Sequence, residues 1–450
     1  MHNKRKKGLV LLASLLVGLT LVPDAGRTVA ADSLSGLGGD AASTDDARFR
    51  REVGLRADAG YLDQLERRER EGTGSFDRSY GALLTDDEAG ELRERNDQAT
   101  ANAAAVRSYF GESNPLDAGM FLDNRDGVLT VLVTGQAERV TSDLRATVPH
   151  AERLRVSTAR TSLAALDDLT GRVSEDIGAL RKQGIEVTSV STDQRTNTVT
   201  VGVAQATTRI RSALERRYAG APITVVEVSS MPTGTTGRNA PPFRGAQYID
   251  NTMTACSNGF VARRPGTVTN IYYVVTAGHC GGGVWTQAGY PEGQADVNLY
   301  YTGSRADAMR INVPFAEMSR EVFKNASSYQ IITAQEGYMA DVVGQVTCGS
   351  GFRTEISCGT ITTTNTTVTY TIQGVTTTLY VQREATYVNI PGDSGGSVFN
   401  GGLAKGINSG KRTYGDGTTR SLYSHIAEVM PALGLSTATS CEGAATPHCR

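Results

Sequence analysis

The sequence predicts a chain of two parts: a charged α/β N-terminal region containing a duplicated unit, and an all-β C-terminal domain closed by one helix. Three observations carry this. Charged residues make up roughly a quarter of the chain before about Asn239 and roughly an eighth from Ala240 onward. All six cysteines lie in the second part. From about Gly245 the texture also becomes β-rich, with Val, Thr, Tyr and Ile in short runs, Gly-rich turns and almost no helical periodicity before the C-terminus.

At the N-terminus Lys4, Arg5, Lys6 and Lys7 precede an apolar run from Gly8 to Val22, and Ala30 and Ala31 offer a small-residue cleavage site. Residues 1–31 thus have the form of a signal peptide. The run is too short for a stable membrane span, and no later stretch is long enough. A soluble, secreted protein is expected, with disulfides formed among an even number of cysteines. The net charge of −2 points to no nucleic-acid or membrane partner, and a monomer is expected.

Residues Asp45 to Arg107 carry leucines at loose helical spacing among Arg, Glu and Asp, and read as solvated helices. Asp123–Leu144 then aligns without a gap on Asp193–Leu214, at an offset of 70. Arg125 matches Arg195, Thr130 Thr200, Val131 Val201, Val133 Val203, Arg139 Arg209 and Leu144 Leu214. Each copy reads as strand, polar turn, strand and amphipathic helix, giving two α/β subdomains over about residues 118–230, joined by a helix from about Ala159 to Gln183. Met231–Phe243 (MPTGTTGRNAPPF) reads as an exposed, cleavable linker.

Beyond it NIYYVVTA, ADAMRINV, GTITTTNTTVTYTI and GLAKGINSG are strand candidates separated by turns, as in a sandwich or barrel. SHIAEVMPALG, interrupted by Pro431, is the candidate closing helix. About 210 residues of this kind suffice for one or two small barrels.

Of five histidines only His279 lies in a β-rich segment with reactive-looking neighbours, VVTAGHC. A hydroxyl nucleophile at neutral pH needs a general base of pKa near 7, which imidazole supplies. Pro391-Gly392-Asp393-Ser394-Gly395-Gly396-Ser397 marks the hydroxyl, and the N–H groups of Gly392 and Ser394 are candidates for an oxyanion hole. Gly392–Gly396 also fits the G-x-S-x-G elbow of α/β-hydrolases, with Asp416 and His425 downstream. Fewer than about 60 residues follow Ser394, and no alternating strand and helix units surround it, so the elbow reading fails. The order histidine, aspartate, serine remains. With His279 as base, activity should rise with pH with a midpoint near 6 to 7, roughly the ordinary imidazole range.

TAGHC around His279 and PGDSGGSVF around Ser394, about 115 residues apart, resemble the signature segments of the streptogrisin and α-lytic protease family. CGSGFRTEISCGTI, AKGINSG and RGAQYIDNTMTACSNGF are similar to family segments too, and VTSVSTDQRTNTVTVGV resembles the family's propeptide. The resemblance implies a secreted serine endopeptidase over 240–450, of the chymotrypsin fold with two six-stranded antiparallel barrels and a C-terminal helix. It implies a propeptide over 32–239 that acts in cis, polypeptide substrates and no cofactor. Asp307 in SRADAMRI matches the family's third catalytic position loosely, with Asp296 as competitor. The family pairs the aspartate before its serine with an arginine; this chain has Gly349 there, which leaves Arg353 to reach Asp393. The implied disulfides are Cys256–Cys280 and Cys348–Cys358, with Cys441 and Cys449 left to each other. Without a C-x-x-C pair, a zinc site on His279, Cys280, Cys441 and His448 is disfavoured.

Ser409, Gly410 and Lys411 correspond to the edge strand on which the family pairs substrate backbone. ATYVNI before Pro391 holds no carboxylate, which argues against a pocket for Arg or Lys and for a neutral one taking apolar or aromatic side chains. Lys411 leaves acidic side chains as the alternative, unless it snorkels to solvent. A secreted serine esterase and a binding protein on the same scaffold are the other functions open to the chain.

Overall fold

The structure, a computed structural model, describes residues 46–111, 114–230, 242–251, 254–265, 271–287, 290–313, 318–325, 328–338, 340–372 and 375–437. The expected signal peptide, most of the linker, Cys441, His448 and Cys449 lie outside the described residues.

The chain enters through helices over 46–52, Ala59–Arg70 and Asp86–Phe110. Asp58 accepts from the Tyr61 N–H to cap the second, and Thr85 with Glu88 forms a reciprocal capping box on the third. The first repeat then forms an antiparallel hairpin, Asp117–Asp123 with Val128–Val133, followed by helix Ala137–Thr147. The second forms Val187–Asp193 with Thr198–Val203 and helix Thr208–Arg217. Helix Leu163–Lys182 joins them. The repeat pattern ends each unit at its helix, but each chain continues into a third strand, Leu154–Thr158 or Ile223–Ser230, parallel to the second. That strand completes the cover of a small core: Val131, Val133, Val140, Leu144 and Leu154 in one copy, Val199, Val201, Val203, Leu214 and Val225 in the other.

The C-terminal part holds two large sheets. One runs, antiparallel throughout, in the order Ala255–Ser257, Tyr248–Asp250, Val284–Gln287, Tyr290–Asn298, Met309–Val313, Tyr272–Thr276, Phe260–Arg263, Ser436–Thr437. In the other, Val346–Gly351, Ser397–Asn400, Leu403–Tyr414, Thr419–His425, Val375–Ala385 and Glu355–Ile372 pair in a ring that returns to its first strand. The expected two barrels of six strands each are not what the sheets show: six strands close the ring of the second sheet, which counts ten strands with Ala334–Gln335 and the strands of the second repeat. The first has eight strands, and a separate three-stranded sheet forms from Phe243–Gly245, Met318–Asn325 and Ser328–Ile331. Helix Ile426–Ala432, with Pro431 in its last turn, buries Ile426, Val429 and Met430 in the main core.

The second repeat adds its strands to the ring. Val187–Asp193 pairs with Glu355–Ile372 through Ser191 and Thr366, and Ile223–Ser230 pairs antiparallel with Leu403–Tyr414 through Ser230 and Arg412. Side chains of two earlier helices, Leu163–Lys182 and Asp86–Phe110, also reach the C-terminal part: Ser174 Oγ donates to Thr367 Oγ1 at 2.9 Å, Asp167 accepts from Asn365 at 3.1 Å and Arg107 donates to the Asp341 carbonyl at 2.8 Å.

Beneath the ring lies a cluster of ionic groups with almost no solvent. Lys405 Nζ is 2.5 Å from Glu336 and 2.7 Å from Asp341, while His425 Nε2 is 3.2 and 3.3 Å from the same two carboxylates. Arg383 Nε is 3.2 Å from Asp341. Burial alone would push the Asp341 carboxyl up, but Lys405, His425 and Arg383 hold it well below the usual carboxylate range. His425, the elbow reading's base, is thus sequestered and fully buried. Asp341→Asn would leave three basic groups with Glu336 alone, and is expected to destabilise the fold by about 3–5 kcal/mol. The shift in denaturant midpoint, measured in a Ser394→Ala background to prevent digestion, checks this.

Candidate active site

His279 sits in a 3-10 turn, Gly278–Cys280, at the end of strand Tyr272–Thr276, and the Cys256–Cys280 disulfide ties the turn to a neighbouring strand. Cys348 and Cys358 form the second disulfide. Asp307 lies just before strand Met309–Val313, which pairs directly with the histidine's strand. Its Oδ1 accepts from the His279 backbone N–H at 2.8 Å, and its Oδ2 lies 2.6 Å from His279 Nδ1. The other ring nitrogen, Nε2, is 2.9 Å from Ser394 Oγ.

The protons follow from this geometry. An ionised carboxylate only accepts, so the ring hydrogen sits on Nδ1 and leaves the Nε2 lone pair to receive the Ser394 hydroxyl. Burial pushes the His279 imidazolium down, and the Asp307 charge and hydrogen bond push it up; the net direction is up from the ordinary value. With His279 as the general base, the acid limb of activity is expected above that of an unperturbed imidazole.

Asp307 is fully buried and held from two further sides: Ser409 Oγ donates to its Oδ2 at 2.6 Å, and its own N–H donates to Ser424 Oγ at 2.8 Å. Asp296 is engaged elsewhere, in a two-pronged pair with Arg310 at 2.7 and 3.0 Å. The Ser409 hydroxyl thus serves the aspartate, a contact that its expected role in pairing substrate backbone did not signal.

The Ser394 loop is shaped by inward hydrogen bonds. Asp393, Gly395 and Gly396 donate their N–H groups to Ile390, Asn408 and Asp393 carbonyls. The N–H groups of Gly392 and Ser394 have no acceptor among the described residues. Gly395 has φ +84°, and a Cβ there would lie 1.9 Å from Thr276 Oγ1, so only glycine fits.

The expected ion pair between Arg353 and Asp393 is not formed. The Asp393 carboxylate is buried but accepts from the N–H groups of Arg353, Thr354 and Ile390 at 3.0, 3.1 and 3.0 Å, and from the Thr354 hydroxyl. Four donors compensate the charge without a cation. The Arg353 guanidinium turns instead to the Pro391 carbonyl, at 3.3 Å. At Gly349, where the family's arginine would start, a Cβ would meet the Tyr387 ring at 2.3 Å. Tyr387 fills that space.

An open cleft adjoins Ser394 and His279, walled by Asn389–Pro391, Tyr370–Ile372 and Ser409–Lys411. A base-activated hydroxyl, free N–H groups beside it and an adjoining cleft are equipped for acyl transfer. For the zinc alternative, Cys280 is in a disulfide and His279 is bound to Asp307 and Ser394.

No family model matches the chain. It is 26% identical over 347 residues to Serine protease 1 of Streptomyces fradiae, covering 74% of this chain and 85% of that one. It is 29% identical over 378 residues to Streptogrisin-C of Streptomyces griseus, covering 81% of this chain and 74% of the relative. Among solved structures, a glutamic acid-specific serine protease that utilises a histidine triad in substrate binding matches 43% of this chain and all of its own, with TM-score 0.37 and 26% identity.

Proposed function

We propose that this serine endopeptidase, a relative of the streptogrisins, is made as an exported precursor whose propeptide, 32–239, assists folding of the catalytic domain, 240–450. The observation that carries the catalytic reading is the hydrogen-bonded chain from Asp307 through His279 to Ser394. Ser394 Oγ attacks the substrate carbonyl as His279 Nε2 takes its proton, and the developing oxyanion is received by the N–H groups of Gly392 and Ser394. The imidazolium, stabilised by Asp307, returns the proton to the departing amine as the peptide C–N bond breaks. Water, deprotonated by His279, then cleaves the acyl-enzyme and restores the serine.

Two contacts support the precursor reading. Strand Ile223–Ser230 is hydrogen-bonded to Arg412–Tyr414, immediately beside Ser409–Lys411, where an extended substrate would add a strand. Strand Val187–Asp193 holds the hairpin Glu355–Ala385. That hairpin joins distant parts of a ring with many non-local pairings, a topology that folds slowly. A partner that binds the assembled hairpin lowers that barrier. The two disulfides fit an oxidising, extracellular setting, and among the described residues no helix is long and apolar enough to cross a membrane.

Refolding tests the proposal. The full-length chain, diluted from denaturant, is expected to recover casein hydrolysis, while the segment from Ala240 onward alone recovers little over the same hours. Equal recovery would remove the folding role. Turnover of a simple aryl ester without casein cleavage would make the protein an esterase, and neither activity would make it a binding protein.

A further inference from the structure

We infer that the cleft beside Ser394 selects an acidic side chain on the residue that donates the cleaved carbonyl, with Lys411 supplying the cation; this rests on the endopeptidase reading of His279, Asp307 and Ser394. The argument begins with the direction of the lysine. Side chains alternate along a strand. A Cβ on Gly410 would meet the Tyr370 hydroxyl at 2.9 Å, and Arg412, two residues on, is buried against Glu384. Lys411 therefore belongs to the opposite face. Its partner there is Ser421, whose hydroxyl donates to the Tyr387 carbonyl at 2.6 Å. This is the face covered by the segment that leads from Tyr387 through Asn389 to the nucleophile loop. Asn389 Nδ2 ties the two walls together by donating to the Gly410 carbonyl at 3.1 Å.

The charges in the cleft point the same way. Its lining contains no aspartate or glutamate, and Lys411 is its one lysine or arginine. Lys411 is half-buried, lines the cleft together with Ile372 and Ile390, and makes no ion pair among the described residues. Its neighbours on the same strand differ: Lys405 is paired with Glu336 and Asp341, and Arg412 with Glu384. A cation on the wall of a cleft with no carboxylate of its own is free to pair with a substrate carboxylate that enters. An apolar side chain would cover Lys411 and offer it no partner. The absence of a carboxylate thus predicts more than a neutral pocket once the position of Lys411 is known.

The test uses the product secreted from the full-length chain, on peptides that differ only in the residue before the scissile bond: Glu, Asp, Gln, Leu, Phe and Arg. Glu is expected to exceed its isostere Gln in kcat/KM by on the order of 10²-fold, and the ratio should shrink as salt is raised. Lys411→Gln should bring the Glu/Gln ratio to about one, whereas Lys411→Arg should keep a clear preference for Glu. Titration with a serine-directed phosphonylating reagent counts competent sites in each variant. If Lys411→Gln yields none, the wild-type ratio, its salt dependence and Lys411→Arg decide. A wild-type ratio at or below one, or a ratio unmoved in Lys411→Gln, overturns the inference and leaves the endopeptidase reading standing. Cleavage of none of the six peptides overturns both.

Discussion

Ser394→Ala is expected to lower kcat/KM on peptide substrates by on the order of 10⁴-fold or more, and His279→Ala by a similar factor. The double variant should be little worse than either, because the hydroxyl and the imidazole act as one device: without the base the hydroxyl is a weak nucleophile, and without the hydroxyl the base has nothing to activate. Residual hydrolysis would come from binding and from the N–H groups of Gly392 and Ser394, which neither change removes. A second readout needs no substrate. Expressed in a host without extracellular proteases, the wild-type chain should accumulate at the size of its catalytic domain, and Ser394→Ala at the size of the uncut precursor. A Ser394→Ala protein that still digests casein, or that matures alone, would end this mechanism.

How far the sequence could lead depended on whether a role needs a particular side chain. His279 and Ser394 stand in segments whose composition already speaks of chemistry, and they lie 2.9 Å apart. Asp307 was favoured over Asp296 only by a loose match to the family's segment; in the fold Asp307 meets His279, while Asp296 pairs with Arg310. The Asp393 partner could not be read, because three of its four donors are backbone N–H groups, which every residue but proline carries. An arginine is visible in a sequence and an amide is not.

The ionic cluster was hidden for a different reason. Lys405 in GLAKGINSG has the look of a surface lysine, and its partners Glu336 and Asp341 lie more than sixty residues away in loops without periodicity. Only the strand pairing brings them together. The same applies to the third strand of each repeat: Leu154–Thr158 is five residues long and buries only Leu154 fully, too weak a pattern to stand out. Tyr272–Thr276, by contrast, was plain, because its unbroken run of Tyr, Val and Thr is buried along its whole length.

Asp307→Asn should be nearly as damaging as loss of the serine, with a fall on the order of 10⁴-fold, although it changes neither size nor shape. The Asp307 Oδ2 now receives two donors, the His279 ring N–H and the Ser409 hydroxyl. An amide nitrogen in that place would donate instead, so the ring hydrogen must move to Nε2 and point at Ser394 Oγ, and the base is lost. Asp296→Asn, which breaks only a partly exposed pair with Arg310, should keep activity within a few-fold. The pH profile separates positioning from mere unfolding. In the wild type the active form is the neutral imidazole, and Asp307 raises the pKa at which that form appears, so kcat/KM should be lost as pH falls, with a midpoint above the ordinary imidazole value of about 6.5. Removing the aspartate's charge leaves burial as the chief influence, which favours the neutral ring, and the acid limb of whatever activity remains should move to lower pH. A folded Asp307→Asn enzyme with near-normal kcat/KM, or an acid limb that moves up, would assign the imidazole's partner to another residue, and an Asp296→Asn enzyme that fails while Asp307→Asn matures would name which one.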